Sequence, residues 1–176
     1  TTAIGRYRRG IGDAATFGGL VSTRRGDGYE NSVFAADSYV RMTPSDSLRA
    51  QFAGSTTRYR DPLADRLDQP HGSFDGHGLL ASYTHSDRVR SWSAAYADVS
   101  PGFRADSGFV NQVGVRQADT NVERRVRGGP DRWFRNLFFY AGVDGTRQWD
   151  GAWNEWGADV GVVYQGPREI ELQLNL

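Results

Sequence analysis

Alternation of polar and apolar residues runs through most of this chain and limits what it can fold into. In the stretch 169–176, Glu-Ile-Glu-Leu-Gln-Leu-Asn-Leu, every second residue is apolar. Side chains of a strand point alternately to two faces, whereas a helix would mix these residues around its surface. We therefore predict an all-β fold whose strands each have one apolar and one polar face.

About ten strands are predicted, separated by residues typical of turns. They cover residues 3–10, 15–24, 32–42, 47–59, 77–85, 89–98, 110–126, 133–148, 153–164 and 168–176. Breaks such as Thr43-Pro44-Ser45-Asp46 have the composition of tight turns. Strands joined in this way favour an antiparallel, up-and-down sheet. All 176 residues are expected to form one domain or one segment of a larger one.

The predicted breaks differ in length and point to a membrane barrel. Short breaks at 11–14, 43–46, 86–88, 128–132 and 165–167 alternate with longer ones near 25–31, 60–76, 99–109 and 148–152. Short turns at one end and long loops at the other are typical of bacterial outer-membrane barrels. Several predicted strands also exceed the usual soluble length of about five or six residues. Tyr and Trp collect near strand ends, as they do at membrane interfaces.

The fold predicted from these features is an antiparallel up-and-down transmembrane β-barrel of the bacterial outer membrane. Ten strands could close alone, but both ends of the chain read as strands, which favours a segment of a larger barrel. Outer-membrane lipid and further barrel strands or subunits are then the expected partners, because open edges are costly in lipid. A soluble antiparallel sheet with one wet face is the alternative.

The composition argues against several classes of function. The chain has 21 basic and 21 acidic residues, so its formal net charge is zero and nucleic acid is not an expected partner. It contains no cysteine, which excludes a disulfide, a thiolate metal site and a cysteine nucleophile. The apolar run 137–143 is much shorter than the roughly 18 residues of a membrane helix. No metal or cofactor is predicted.

The polar face of such a barrel would line its interior. The alternation assigns six charged residues to this face: Asp37, Arg41, Arg49, Arg116, Asp144 and Asp159. Arg116 is included because Val113 and Val115 are assigned to the apolar face. These side chains would either set the field that a solute meets or pair across strands and fill the interior. The sequence leaves both alternatives open.

Histidines offer the only pattern that resembles a catalytic site. His71, Ser73, Asp75 and His77 lie close together in sequence, so a hydrolase site is conceivable. Nothing nearby supplies an oxyanion hole or a nucleophile elbow, and no catalytic residue is assigned.

A cluster of arginines precedes the predicted turn 128–132. Arg124, Arg125 and Arg127 are expected at the rim of the barrel, where they could meet anionic headgroups or face the interior.

The segment 96–110, Tyr-Ala-Asp-Val-Ser-Pro-Gly-Phe-Arg-Ala-Asp-Ser-Gly-Phe-Val, resembles a signature of a bacterial family. That family comprises outer-membrane β-barrels of unknown function, usually fused to an N-terminal domain like the family 9 carbohydrate-binding modules. The resemblance implies a membrane barrel and, for a longer parent, a link to sugars; it implies no catalytic residues. The chain departs from the signature at Asn111 and Gln112, where a basic residue is expected.

The loop within this segment is predicted to be a plug or rim element. Pro101 fixes a bend, while Phe103 and Phe109 provide apolar side chains to bury. The expected function is non-enzymatic: passage or uptake of a small solute or saccharide, or anchoring of a periplasmic or surface domain. A soluble carbohydrate-binding sheet and an outer-membrane hydrolase using His71 or His77 are the alternatives.

Overall fold

Ten antiparallel strands follow one another in chain order in a single sheet, seen in a computed structural model that describes residues 1–108, 110–129 and 131–176. The strands are β1 (Thr2–Ile11), β2 (Ala15–Gly26), β3 (Tyr29–Arg41), β4 (Asp46–Arg58), β5 (Ser73–Ser86), β6 (Arg90–Val99), β7 (Val115–Arg127), β8 (Asn136–Gln148), β9 (Trp153–Gln165) and β10 (Glu171–Asn175). The predicted all-β, antiparallel, up-and-down arrangement is confirmed.

The sheet is open. Within the part of the chain that the structure describes, each strand pairs with its sequence neighbours, and β1 and β10 form the two edges. β10 is a strand of 5 residues, whereas β5 has 14. The ten-strand count was therefore predicted correctly, but closure of these strands into a barrel is not observed.

Within the described residues, two short helical segments lie between strands. Helix α1 (Asp61–Leu67) lies in the connection 59–72, where residues 60–76 were predicted to be a loop. Its first turn contains Pro62, whose fixed φ suits a helix start, and it ends at Asp68, whose φ of 51° is left-handed. A 3-10 turn (Pro167–Glu169) precedes β10, so the last strand begins later than predicted.

The connections sort by length only in part. Both long ones, 59–72 and 100–114, lie at the end we call the loop end. The same end also has the tight turn Asp27-Gly28, although a longer break was predicted there. The opposite end, which we call the turn end, is formed by the connections 12–14, 42–45, 87–89, 128–135 and 166–170.

Large apolar side chains gather on one face of the sheet and remain exposed there. The register pairs Val21 with Phe34, and Phe34 with Gly54, which fixes one face for all neighbouring strands. On this apolar face each of the following exposes at least 38% of its surface: Phe17, Val21, Phe34, Leu48, Phe52, Leu79, Trp92, Tyr96, Val122, Phe139, Val143, Trp156, Val160, Leu172 and Leu174. The other face, which we call the polar face, carries Asp37, Arg49, Asp119, Asp144 and Asp159.

The buried core is small and lies mostly at the loop end, although Phe134 in the connection 128–135 is also buried. It forms where the connections 59–72 and 100–114 fold against the polar face, and it includes Val33, Ala53, Tyr59, Ala64 and Phe103. The sheet has no second layer over its apolar face within the described residues. In a soluble protein the apolar face of a sheet is normally buried under a second layer, and in this structure that face is exposed.

Candidate functional site: the polar face and its covering loop

The polar face collects five of the six charged residues predicted for it. Asp37 and Arg49 lie on neighbouring strands, since Asp37 pairs with Gln51 and Tyr39 pairs with Arg49. Asp144 and Asp159 lie at the far side of the sheet, on β8 and β9. Arg41 completes the five, and its guanidinium donates a 2.7 Å hydrogen bond to the Asp13 carbonyl oxygen.

Arg116 was assigned to the wrong face. It pairs with Asp98 and Arg147 on the apolar face, where its guanidinium lies 3.1 Å from the Asp98 carboxylate and 4.3 Å from the Trp149 ring centre. The polar face at this point is occupied by Val115, which is only 4% exposed. Because the buried Val115 lies on the polar face, an apolar residue marks the polar face at this point, and the alternation assigns Arg116 to the wrong side.

Opposite charges are separated across the polar face. Arg6, Arg8 and Arg49 lie on strands β1 and β4, and together with Tyr39 and Gln51 they line a cavity of about 630 Å³. Asp37 is the acidic member of this basic half, 3.2 Å from the Arg6 guanidinium.

The acidic half of the polar face lies on β7–β9. Asp119 directly faces Asp144 across the β7–β8 ladder, and Asp159 lies on the next strand. Like charges opposite each other cost free energy unless solvent or a counterion screens them. The basic residues of β1 and β4 and the acidic residues of β7–β9 therefore give the two sides of the polar face opposite charge, except at the turn end of β7, where Arg125 and Arg127 lie on the same face.

Three of the aspartates rest against glycines. A Cβ atom at Gly18 would lie 2.6 Å from Asp37 Oδ1, and one at Gly157 would lie 2.9 Å from Asp144 Oδ1. At Gly142 the Cβ would lie 2.5 Å from Asp159 Oδ1. The missing side chains therefore let these carboxylates lie close to the backbone of the neighbouring strand.

The connection 100–114 folds over the polar face at the loop end. The Ser100 hydroxyl accepts a 2.8 Å hydrogen bond from the His77 backbone N–H, and the Arg104 N–H donates a 3.0 Å bond to Ser55 Oγ. A Cβ atom at Gly76 would overlap the Phe103 backbone nitrogen, so the loop approaches β5 as closely as its backbone allows. The connection is thus held against β4 and β5.

Asn31 is the centre of the hydrogen bonds that hold this connection. It is 1% exposed, and its side-chain amide donates to Thr57 Oγ1 at 2.9 Å and to the Arg104 carbonyl oxygen at 3.0 Å. The side-chain oxygen Oδ1 of Asn31 accepts a 3.1 Å hydrogen bond from the backbone N–H of Asp106. Buried polar groups are costly unless paired, so these bonds fix the loop in one position.

Asp106 adds a second attachment point. The Tyr29 hydroxyl donates a 2.5 Å hydrogen bond to the Asp106 carboxylate, and the Tyr59 hydroxyl donates a 3.2 Å bond to the same group. Burial, reinforced by that carboxylate, raises the pKa of Tyr59, so its hydroxyl remains a donor at neutral pH. Arg24 also donates a 3.0 Å bond to the Asp106 carbonyl oxygen.

The residues predicted for a plug or rim can now be located. Phe103 is 8% exposed and packs against Gly78, while Pro101 lies beside Gly114 at the other end of the connection. Phe109 lies outside the described residues. The connection covers the polar face over β3–β5, next to the cavity of the basic half.

The histidines are not assembled into a catalytic group. His71 contacts Asp61 and Asp65, whereas His77 lies 3.5 Å from Asp98 on the apolar face. Asp75 accepts a 2.6 Å hydrogen bond from Thr56. Among the described residues, no group of three or more His, Asp or Glu side chains is arranged to hold a metal ion.

His71 gives a pH-dependent contact beside α1. Hydrogen bonds to Asp65 and Asp61 raise the pKa of His71 above its ordinary value of 6.5. Because the folded pKa is raised, the contact stabilises the connection fully below pH 6.5, and this contribution is lost as the pH rises through the raised pKa. In an NMR titration we expect Asp65→Asn to lower the pKa of His71 and Asp131→Asn to leave it unchanged. An unchanged pKa in Asp65→Asn would contradict the assignment.

Comparison with known proteins gives no relatives for this chain. No protein-family model, curated protein or solved structure matches it. The family resemblance of the segment 96–110 therefore stays a prediction.

Several site residues were not identified from the sequence. The polar residues Gln117, Asp119 and Asn121 alternate along β7 and could have been assigned with the correct phase. The basic pair Arg6 and Arg8 shows the same spacing on β1. Asn31 gives no such signal, because the residues that bury it lie far away in sequence.

Proposed function

We propose that this chain forms part of the wall of a β-barrel in the bacterial outer membrane, with its polar face toward an aqueous interior. The observation that supports this most is the exposed apolar face. Soluble monomers rarely expose contiguous apolar patches larger than a few hundred Å². Here Phe34, Val143 and Val160, on three different strands, are each 50% exposed or more. Lipid is the surrounding in which such a surface is stable.

The positions of the tryptophans support the same orientation. Trp92 lies at the turn end of the apolar face, whereas Trp149 and Trp153 lie at the loop end. Aromatic residues at both edges of an apolar band are typical of outer-membrane barrels.

The apolar band also crosses the sheet obliquely, as tilted strands require. One ladder row pairs Leu174 with Val162, and Val162 with Phe139. The same row continues through Arg124 to Arg90, so it leaves the apolar band and enters the charged turn end. Strands of a barrel are tilted, and the band parallel to the membrane then shifts in register from strand to strand.

The open edges require completion in a membrane. Each unpaired backbone group along the outer edges of β1 and β10 would cost several kcal/mol in hydrocarbon. We therefore propose that further strands or a second subunit pair with these edges. The outward side chains Leu172 and Leu174 of β10 continue the apolar face up to the edge itself.

The solute pathway of this proposal follows the polar face. The basic half and the acidic half would act on a small polar or charged solute from two sides, and the connection 100–114 would narrow the interior at the loop end. The proposed role is passage of such a solute, without an enzymatic step.

Among residues 1–108, 110–129 and 131–176, no helix is both long and apolar enough to cross a membrane.

Ion selectivity tests the role of the polar face. In planar bilayers with a KCl gradient, we expect Asp119→Asn, Asp144→Asn and Asp159→Asn together to shift the reversal potential toward anion selectivity. Replacing Arg6, Arg8 and Arg49 by Gln should shift it in the opposite direction, because each set removes one sign of charge. Asp131→Asn, in the connection 128–135, is the control. Equal reversal potentials in all variants would exclude these residues from the pathway.

A further inference from the structure

Two arginine pairs stand out on the apolar face, because each places like charges directly opposite each other. Arg116 pairs with Arg147 across β7 and β8, toward the loop end. Arg90 pairs with Arg124 across β6 and β7, toward the turn end. Directly opposed side chains have Cβ atoms roughly 5 Å apart, and like charges in this position are destabilising.

Neighbouring carboxylates only partly neutralise these pairs. Asp98 lies 3.1 Å from the Arg116 guanidinium, and Asp87 lies 3.7 Å from that of Arg90. Each pair therefore has one carboxylate for two guanidiniums. The remaining positive charge lies at the edge of an apolar surface, at each end of the band.

A groove in the apolar face adjoins each pair. The first has a volume of about 690 Å³ and is lined by Ala118, Val143, Gly145 and Trp156; Asp119 and Asp144, which lie on the polar face, border it as well. The second, of about 470 Å³, is lined by residues such as Val122, Phe139 and Ala141. Arg116 and Arg147 line the first groove, and Arg90 and Arg124 line the second. Both volumes are in the range of small-molecule sites.

Aromatic rings hold the guanidiniums of the first pair at the groove. Arg116 lies over Trp149, and Arg147 lies 5.3 Å from the centre of the Trp153 ring. Arg147 also donates hydrogen bonds of 2.7 and 3.1 Å to the Gly151 carbonyl oxygen. This leaves a fixed cationic site beside an apolar groove.

We infer that each arginine pair binds the phosphate of an anionic glycerophospholipid, with an acyl chain in the adjoining groove. The inference rests on the proposed membrane location of the apolar face. A phosphodiester has two free oxygens, which two planar guanidiniums can bind with charge-assisted hydrogen bonds. It would also supply the negative charge that each pair lacks. The two sites lie toward opposite ends of the apolar band, where the headgroups of the two leaflets would be.

Native mass spectrometry of the full chain in a nonionic detergent tests this. With phosphatidylglycerol as the probe, we expect two tightly retained lipids, and weaker retention of phosphatidylcholine. The double variant R116Q/R147Q should lose one retained lipid, and R90Q/R124Q should lose the other, with binding at each site weakened roughly tenfold or more. The variant R9Q/R66Q removes the same number of charges from positions outside the pairs and should retain both lipids.

The outcomes separate this inference from the proposed function. Equal retention of the two lipids, or equal losses in R9Q/R66Q and the pair variants, would overturn the inference. A heat-dependent gel shift on the same samples tests the membrane fold. If the shift is present but lipid retention does not depend on the pairs, only the lipid sites are wrong. If the chain stays soluble without detergent and shows no shift, the proposed function itself fails.

Discussion

Val160→Arg is expected to prevent stable assembly of the chain in membranes. Val160 lies midway along β9 in the apolar band and is 50% exposed. If this face contacts lipid, an arginine near the middle of the bilayer costs about 2–4 kcal/mol. A loss of this size lowers the ratio of folded to unfolded protein by roughly 30-fold to 900-fold. The measurement is the yield of the form that migrates faster on an unheated gel, with total protein determined after heating.

The adjacent residue provides a matched control. Asp159→Arg introduces the same side chain one position earlier, on the polar face of the same strand. Its yield of the fast-migrating form should remain close to that of the unsubstituted chain. If both variants lose the form equally, the two faces of β9 are not in different surroundings, and the orientation proposed here is wrong.

Asn31→Leu should release the connection 100–114 from the polar face. The substitution removes the partners of Thr57 Oγ1, the Arg104 carbonyl and the Asp106 N–H at once. Each group left unpaired in a buried position costs about 1–3 kcal/mol. Three such groups cost about 3 kcal/mol or more together, which speeds hydrogen exchange of residues 100–108 by roughly 100-fold or more. Hydrogen exchange followed by mass spectrometry gives the rate for this segment.

Channel recordings provide a second measurement on the same variant. If the connection narrows an aqueous interior, its release should raise the conductance of Asn31→Leu. Asn111→Leu, at an exposed position of the same connection, should change neither exchange nor conductance. Unchanged exchange of residues 100–108 in Asn31→Leu would show that its hydrogen bonds do not hold the connection.

Strand positions could be predicted from the sequence because alternation and turn residues are local signals. The predicted strand 47–59 differs from β4 (Asp46–Arg58) by one residue at each end. Helix α1 was missed because its 7 residues are too few for a clear helical period, although Pro62 marks its start. Closure could not be judged, since it depends on pairing between β1 and β10, which are remote in sequence.

The candidate site was predictable only where one strand face determined it. Asp37 and Asp144 follow from the local alternation, and the structure places both on the polar face. Arg116 was misassigned because Val115, although apolar, lies buried on the polar face, which the local alternation does not indicate. Asn31 was missed because its partners Arg104 and Asp106 lie more than 70 residues away in sequence.

Labelling of single cysteines along β9 tests most directly whether the apolar face contacts lipid. The natural chain has no cysteine, so each variant carries one reactive thiol. We would substitute Glu155, Ala158, Asp159, Val160, Val162 and Val163 one at a time, which avoids the closely packed Gly157 and Gly161, and treat native membranes with a water-soluble maleimide. We expect the odd-numbered positions, on the polar face, to react readily, and the even-numbered positions to react only after denaturation. Equal labelling of odd and even positions in intact membranes would contradict it.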